Sequence, residues 1–399
     1  MYIYFLILIL IFGSYLLIDK TNIFRFDKRN LAFIIVVGII LILFSSIRAD
    51  SVGIDLSLYY KIFDYTKDYT FSDIFFNLFQ SKKFLSVPVY NGEYEIGYIL
   101  FTKLISIIND SSFSYKFFTS LFINIPILFF IYKHSKKIYL SVLIYILFGF
   151  YTQSYVVIRQ YMALSMTLLT VHFLIENNYK KAIVFSLISC TFHNTAVISL
   201  IFILLKYFLK SFLRYSKYIF IVLVLFSFFC KPLIEFLIIN FYPFYDDLII
   251  SGEGVKLFLF LLLITISLII IMKREGKTKE DVEFCFILFL LGTVLQLYTL
   301  NFSLLNRLAL YFQFYIVIAI PNILESYSIY QLLEKRVVTL CYVLVFACFF
   351  IFNLIVNDSG NVRDYKIADN ILKATVQLDR KESVYENIKT IKLYTRKSE

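Results

Sequence analysis

Hydrophobic residues are grouped along the chain in runs of about 17 to 20 positions, each closed by a short polar or basic segment. A helix of about 20 apolar residues crosses the hydrocarbon layer of a bilayer and satisfies its own backbone hydrogen bonds. The pattern therefore predicts an all-α, polytopic integral membrane protein with about twelve transmembrane helices. The predicted spans are residues 2–18, 31–47, 113–132, 138–156, 160–176, a tight pair within 182–207, 217–230, 255–272, 282–300, 307–325 and 337–356.

Basic residues are concentrated in every second connector between these spans. The Lys- and Arg-rich connectors are residues 19–29, 133–137, 177–181, 206–217, 273–281 and 330–336. Connectors that keep Lys and Arg generally face the cytoplasm. This rule places the N-terminus and the segment 48–112 outside.

Two segments depart from the pattern of spans. Residues 96–108 are apolar but only about 13 residues long and carry Lys103, which favours an amphipathic or re-entrant helix at the outer interface. Residues 357–399 are polar and of mixed charge, and their side of the membrane stays open. We therefore predict one transmembrane domain, 1–356, with an outer loop, 48–112, and a polar tail, 357–399. This arrangement is compatible with a GT-C-like architecture.

Composition supports a membrane protein and excludes a soluble one. Of the 399 residues, 60% are hydrophobic and 20% are aromatic, and the mean hydropathy is +0.78. The net charge of +11 is explained by the Lys and Arg of the basic connectors and does not indicate a nucleic-acid partner. The five cysteines lie in or beside apolar runs without paired spacing, which is typical of small hydrophobic fillers.

Charged side chains outside the basic connectors fall at the predicted outer rim. A charge at membrane depth is costly unless it is paired or hydrated, so these residues are candidates for function. Arg48, Arg159 and Arg307 are candidates for binding a lipid-linked diphosphate, because the planar guanidinium matches phosphate oxygens and keeps its charge. The alternative is that each arginine pairs with a nearby carboxylate, as Asp50 offers Arg48, or extends to lipid headgroups.

The outer loop also contains a candidate base and candidate sugar contacts. Asp55 is followed about one helical turn later by Tyr59 and Tyr60. Asp55 is suited to act as a general base on a sugar hydroxyl if its pKa is raised toward neutrality, but it is equally suited to cap a helix. Tyr59, Tyr60 and Tyr90 are predicted to contact sugars.

Glu93, Glu95 and His193 are further polar residues at the predicted outer rim. Glu93 and Glu95 are predicted to begin the helix over 96–108, where acidic side chains favour the helix dipole. His193, at the turn of two short helices, is a second candidate base or a donor to phosphate. No metal-ligand spacing and no nucleotide-binding motif is present in the sequence, so we predict a metal-independent reaction without a cofactor.

An ordered set of short motifs resembles the EpsG-like family of bacterial polysaccharide polymerases, which are Wzy-type enzymes. The resemblance extends from residue 1 to about residue 325. It comprises R-x-x-x-x-G-x-D followed by Tyr, E-x-G-Y, I-R-Q, F-H-N-T-A, and N-R-x-x-x-Y with a later proline, which begin at Arg48, Glu95, Ile158, Phe192 and Asn306.

This resemblance implies a glycosyltransferase of the bacterial cytoplasmic membrane with its active site outside. Its substrates would be a growing glycan on undecaprenyl diphosphate and a lipid-linked repeat unit as acceptor. A chain-length regulator is a candidate partner. Arg159 and Arg307, assisted by Arg48, would bind the donor diphosphate, Asp55 or His193 would deprotonate the acceptor, and Glu95 would orient a sugar or an arginine.

Other function classes remain open at this point. A lipid-linked oligosaccharide flippase is also polytopic and basic, but it needs cationic residues at several depths of the membrane, whereas the predicted spans carry almost none at mid-depth. An O-antigen ligase or another lipid-dependent glycosyltransferase would use a similar scaffold. A membrane acyltransferase is a further alternative because of His193.

Overall fold

Helices account for nearly all of the described structure. The computed structural model describes residues 2–20, 28–81, 83, 85–90, 92–241, 254–275, 279–300, 302, 305–326, 332–356, 362–363 and 365–366, without the side chains of residues 20, 216–217, 228–241, 275 and 332–334. The α-helices are α1 (Tyr2–Lys20), α2 (Arg29–Ile47), α3 (Leu56–Lys67), α4 (Phe71–Gln80), α5 (Ile96–Ile108), α6 (Ser112–His134), α7 (Ile138–Leu147), α8 (Phe150–Gln153), α9 (Ile158–Ile175), α10 (Tyr179–Phe192), α11 (Ile198–Tyr207), α12 (Leu209–Phe241), α13 (Val255–Glu275), α14 (Glu280–Tyr298), α15 (Asn306–Gln313), α16 (Ile316–Glu325) and α17 (Leu332–Val356).

The prediction of an all-α, polytopic membrane protein is confirmed. Within the described residues, eight helical segments are long and apolar enough to cross a membrane, or nine if the bent pair Asn194–Tyr207 and Leu209–Tyr215 is one span. The eight are Tyr2–Asp19, Arg29–Ile47, Ser112–His134, Ile158–Ile175, Val255–Arg274, Glu280–Tyr298, Asn306–Glu325 and Lys335–Val356. The predicted count of about twelve is not confirmed, because several of the remaining apolar segments form helices shorter than the roughly 20 residues that a bilayer requires.

The predicted span 138–156 shows why the apolar run and the helix differ in length. Helix α7 ends at Leu147, and Gly149 then adopts a φ of +95°, which ends the α-helical path. Only the short α8 follows before α9 begins. Both α7 and α9 are almost entirely buried, and α7 packs against α16.

Described residues of the basic connectors meet at one end of the helix bundle, which we call the basic end. There the side-chain carbonyl of Asn322 accepts a hydrogen bond from the backbone of Lys136, and Glu325 forms ion pairs with Lys137 and Lys335. Lys206 pairs with Glu280 across two further connectors. The bundle therefore has the two chemically different ends that the alternation of connectors predicts.

The segment between α2 and α6 folds at the opposite end of the bundle. It contains α3, α4 and α5 and one antiparallel hairpin of two strands, β1 (Ser86–Val89) and β2 (Gly92–Glu95), with Val87 paired to Tyr94. Helix α5 packs on α3, and the Lys103 ammonium donates to the carbonyl of Lys67 at 2.7 Å. Its 13 residues make α5 too short for a span, as expected for residues 96–108.

Part of the polar tail lies at this same end. The Tyr4 hydroxyl donates to the carbonyl of Val362 at 2.9 Å, and the Ala49 amide donates to the carbonyl of Lys366 at 2.7 Å. The Tyr365 hydroxyl donates to the carbonyl of Phe44. Residues 362–363 and 365–366, which we call the C-terminal strap, thus fasten the tail beside the start of the outer loop; the rest of 357–399 lies outside the described residues.

Candidate functional site

Asp55, Glu95, Arg159, His193 and Arg307 come together at the end of the bundle opposite the basic end. The guanidinium of Arg159 donates to the carboxylate of Glu95 at 2.5 Å. Arg159 and Arg307 both act electrostatically on Asp55 and on His193. The structure therefore assembles residues that are far apart in the sequence into one charged cluster, which we call the rim cluster.

Glu95 is the anchor of the rim cluster. It is only 4% exposed, and its second carboxylate oxygen accepts a hydrogen bond from the Asn194 amide at 3.2 Å. One side chain thus joins the start of α9 to the turn after α10. Glu95 is also the N-cap residue of α5, as expected for the start of this helix, but its side chain makes no capping hydrogen bond. Glu93 lies within strand β2 and does not take part in the helix start.

A close helix contact places Glu95. A Cβ atom on Gly97 would lie 2.2 Å from Thr191 Oγ1 and 2.8 Å from the Thr191 carbonyl oxygen. Only a glycine therefore allows the first turn of α5 to rest against the last turn of α10. The E-x-G-Y motif can be understood in these terms: its glycine makes the contact that brings its glutamate to Arg159.

Aromatic rings surround the guanidinium of Arg159. Its central carbon lies 5.0 Å from the ring centre of Tyr94 and 5.9 Å from those of Tyr59 and Tyr98. Rings at this distance attract a cation through their negative faces, and the attraction grows when water is excluded. The Nε atom of Arg159 is buried and has no hydrogen-bond partner. The rings and Glu95 therefore fix the guanidinium in place.

Asp55 occupies the N-cap position of α3 but does not cap it. Its side chain makes no capping hydrogen bond, and no ion pair joins it to any residue of the described ranges. Burial raises the pKa of the Asp55 carboxyl, while Arg307 and Arg159 oppose that rise. A carboxylate that is unpaired and whose pKa is raised is suited to accept a proton.

The loop before Asp55 is held by Gly53. This residue has a φ of +102°, and a Cβ there would lie 2.5 Å from the carbonyl oxygen of Tyr155. The outer loop therefore touches the backbone of the α8–α9 connection directly. That contact brings Asp55 toward Arg159, which begins α9 one turn later.

His193 has one ring nitrogen occupied. The amide and the hydroxyl of Thr195 lie 3.2 Å and 2.7 Å from Nδ1, and the amide can only donate. Nδ1 is therefore an acceptor, which places the proton of the neutral ring on Nε2. Burial lowers the pKa of His193 to about 4, with Glu95 opposing the effect. His193 is thus neutral at pH 7 and offers a donor, so the geometry favours Asp55 as the base.

Arg307 has the most available positive charge of the rim cluster. Arg307 is exposed, and no described side chain forms an ion pair or hydrogen bond with its guanidinium. Its backbone carbonyl accepts from Gln160 Nε2 at 2.5 Å, which ties the start of α15 to the start of α9. The guanidinium is therefore positioned by its backbone but free to bind an anion.

Arg48 belongs to a neighbouring set of contacting residues and not to the rim cluster; this set, which we call the Arg48 group, consists of Arg48, Ser45, Asp50, Tyr60, Lys116 and Tyr155. It is 2% exposed, donates to Ser45, and lies 4.8 Å from the ring centre of Tyr155. Its carbonyl and the Asp50 carboxylate both accept from the ammonium of Lys116, at 2.7 and 2.8 Å. Asp50 therefore pairs with Lys116 and not with Arg48, the partner that the alternative interpretation of Arg48 names. Arg48 is not open to a ligand in this arrangement.

The three predicted sugar-contact tyrosines lie in different surroundings. Tyr59 is buried against Arg159 and Tyr98. Tyr60 donates to Asp50 at 3.0 Å and so belongs to the Arg48 group. Tyr90 lies at the turn of the hairpin with its ring 5.0 Å from that of Tyr65. Of the three, Tyr59 alone contacts the rim cluster, and sugar binding by any of them stays a prediction.

Four further residues support the rim cluster but are not among the predicted site residues: Gln160, Asn194, Tyr94 and Tyr98. Gln160, Asn194 and Tyr98 fall within the motifs I-R-Q, F-H-N-T-A and E-x-G-Y, whereas Tyr94 is marked only by its position beside Glu95. Among the described residues, no group of three or more His, Cys, Asp or Glu side chains is arranged to hold a metal ion.

Comparison with known proteins gives one match. The model of the EpsG family matches residues 31–367, which cover the rim cluster, the Arg48 group and the C-terminal strap. No curated protein and no solved structure matches the chain. Since the match covers most of the sequence, the chain belongs to the EpsG family, a family of Wzy-like membrane polysaccharide polymerases.

Proposed function

We propose that the rim cluster transfers a growing glycan from undecaprenyl diphosphate to a lipid-linked repeat unit on the outer face of the cytoplasmic membrane. This proposal rests on one observation: the rim cluster contains one cation and one carboxylate whose side chains bond to no described side chain. Arg307 and Asp55 face one another electrostatically, yet each lacks a hydrogen-bonded partner among the described side chains. Such groups are free for a substrate.

The two arginines suit the diphosphate of the donor. Arg307 approaches it from the exposed side, and Arg159 is held by Glu95 at a fixed position. A positioned guanidinium stabilises the negative charge that develops on a leaving group without having to reorganise. His193 adds a neutral donor, Nε2–H, which is suited to a further phosphate oxygen.

Asp55 is the proposed general base. It takes the proton of the acceptor hydroxyl as that oxygen forms a bond to the anomeric carbon of the donor sugar. The bond between this carbon and the diphosphate oxygen breaks, and the electron pair leaves with undecaprenyl diphosphate. Asp55 then returns its proton to water. Burial raises the pKa of its carboxyl, which makes Asp55 a stronger base than an ordinary carboxylate.

The side of the membrane follows from the two ends of the bundle. The basic end collects the Lys- and Arg-rich connectors, which generally stay in the cytoplasm. The rim cluster lies at the other end and would therefore face outward. An outer site receives lipid-linked repeats after they have crossed the membrane, and we propose that both substrates reach it there.

The proposal is tested in a strain that lacks the gene. Variants Arg307→Gln and Asp55→Asn should make no long polymer and should accumulate single lipid-linked repeats on the outer face. Lys256→Gln is the matched control, because Lys256 is an exposed cation at the start of α13 whose ammonium lies 5.3 Å from the ring centre of Phe352, and no described hydrogen bond or ion pair joins it to the rim cluster. Its polymer should be of normal length.

Other outcomes distinguish the remaining classes. Repeats trapped on the cytoplasmic face of the deletion strain would indicate a flippase, and long polymer stranded on its lipid would indicate a ligase. Full-length polymer from both Arg307→Gln and Asp55→Asn would overturn the assignment of the site. Purified protein supplied with one defined lipid-linked repeat should make polymer without added nucleotide sugar.

A further inference from the structure

A sharp bend joins α11 to α12 at the basic end. The axis of Asn194–Tyr207 and that of Leu209–Tyr215 differ by 80°. Because α11 packs along α9 and α10 within the bundle, the first turns of α12 run nearly at right angles to the bundle. This segment therefore lies along the surface of the basic end and contributes Lys210 and Arg214 there, while Lys206 lies in the last turn of α11 just before the bend.

A cavity of about 350 Å³ opens inside this bend. Two lysines, Lys206 and Lys210, contribute to its wall together with Glu280 and the hydrogen-bonding side chains of Asn177, Tyr179 and Ser211. These charged groups carry a net charge of +1. The wall is therefore suited to an anion.

The two lysines differ in whether their ammonium groups are already paired. The Lys206 ammonium is buried, lies 2.8 Å from Glu280 Oε1 and is 5.4 Å from the ring centre of Phe284. Lys210 is exposed, and no hydrogen bond or ion pair connects it with the part of the chain that the structure describes. Lys206 thus shapes the cavity, while Lys210 has an ammonium available for a ligand.

Exposed aromatic side chains surround the cavity. Tyr207 is 70% exposed and Phe208 is 56% exposed, and both line it; Tyr215 and Tyr218 are exposed on the next turns of α12. Tyrosine rings concentrate where a membrane protein passes through the headgroup layer. The cavity is therefore placed at the depth of lipid headgroups.

We propose that this cavity binds the phosphate of an anionic phospholipid headgroup. Lys210 pairs with the phosphate, and the hydroxyl and amide groups of the wall supply further hydrogen bonds. Basic pockets between helices at a membrane surface are suited to such headgroups. The inference is independent of the proposed polymerase activity, because the cavity lies at the basic end and shares no residue with the rim cluster.

Lipid retention by the full-length protein tests the proposal. The protein is purified from vesicles of equal parts phosphatidylglycerol and phosphatidylcholine, and the lipid that remains bound is measured by native mass spectrometry. Wild type should retain phosphatidylglycerol in preference to phosphatidylcholine. Lys210→Gln should lower that retention about tenfold, as expected for the loss of one charge-assisted hydrogen bond. Lys210→Arg should keep it.

Lys180→Gln is the matched control, since Lys180 is an exposed lysine in a neighbouring connector at the same end but does not line the cavity. It should behave as wild type. Equal retention of the two lipids by wild type, or equal losses in Lys210→Gln and Lys180→Gln, would overturn the proposal. Displacement of the bound lipid by millimolar inorganic phosphate would identify a soluble-phosphate site and would also overturn it.

Discussion

Replacing Glu95 by Gln removes one charge from the ion pair that anchors the rim cluster. The Arg159 and Glu95 side chains are 21% and 6% exposed. Removing one partner of a buried ion pair costs about 3–5 kcal/mol, because the other charge is left without compensation. Since Arg159 retains some contact with solvent and with aromatic rings, we expect the lower value, about 3 kcal/mol.

This cost should appear in catalysis more than in folding. The Gln side chain can still accept from the Asn194 amide, but its own NH₂ group would meet the donors of Arg159. The guanidinium should then move from its place among the rings. If the whole of the roughly 3 kcal/mol is lost from transition-state binding, kcat/KM should fall about 100-fold.

The assay is repeat consumption by purified protein with one defined lipid-linked repeat, together with thermal unfolding of the same samples in detergent. Glu93→Gln is the matched control, because Glu93 lies on the same strand but contacts Ser81 at 3.2 Å and not Arg159. We expect near-normal turnover from Glu93→Gln. Equal turnover in the two variants, or loss of folded protein in both, would refute the role of Glu95 as the positioning residue for Arg159.

Three further outcomes are expected. Gly97→Ala should impair polymer synthesis strongly, because the new Cβ would lie 2.2 Å from Thr191 and displace the start of α5. Gly13→Ala is the control and should be active, because nothing lies within 4 Å of a Cβ at that position. Polymer length on a gel distinguishes the two variants. Gly53→Ala should lower the unfolding temperature and activity together, since a φ of +102° and a 2.5 Å approach to backbone both disfavour a side chain. The turnover rate should fall as pH decreases through the pKa of Asp55, because the base must be deprotonated. A plot of rate against pH should place the midpoint of this fall above the ordinary carboxyl pKa of about 4. Asp55→Asn should abolish the pH-dependent turnover.

The convergence of Arg159, His193 and Arg307 could be predicted from the sequence. Each is a polar residue at the end of an apolar run on the side with few basic residues, so the alternation of spans alone brings all three to one end of the bundle. Such reasoning uses only helix length and charge. It needs no knowledge of which helices are neighbours.

Features that depend on local geometry could not be obtained in this way. The hairpin that contains Glu95 is not among the predicted elements, although Asn91–Gly92 between residues of alternating polarity is a strong hairpin signal. The hydrogen bonds from Thr195 that decide the tautomer of His193 depend on a turn of only four residues. The ion pair of Lys116 could not be predicted, because nothing in the sequence of its apolar helix indicates a carboxylate partner 66 residues earlier.

The C-terminal strap has a consequence for biogenesis. Its contacts join the first described helix to a much later part of the chain, with a sequence separation of 358 between Tyr4 and Val362. Helices inserted during translation can pack in order, but the backbone bond from Ala49 to Lys366 must wait until the ribosome has completed this late segment. Until then, the first outer segment of a nascent chain lacks this fastening, although the described helices that precede the strap have already been synthesised.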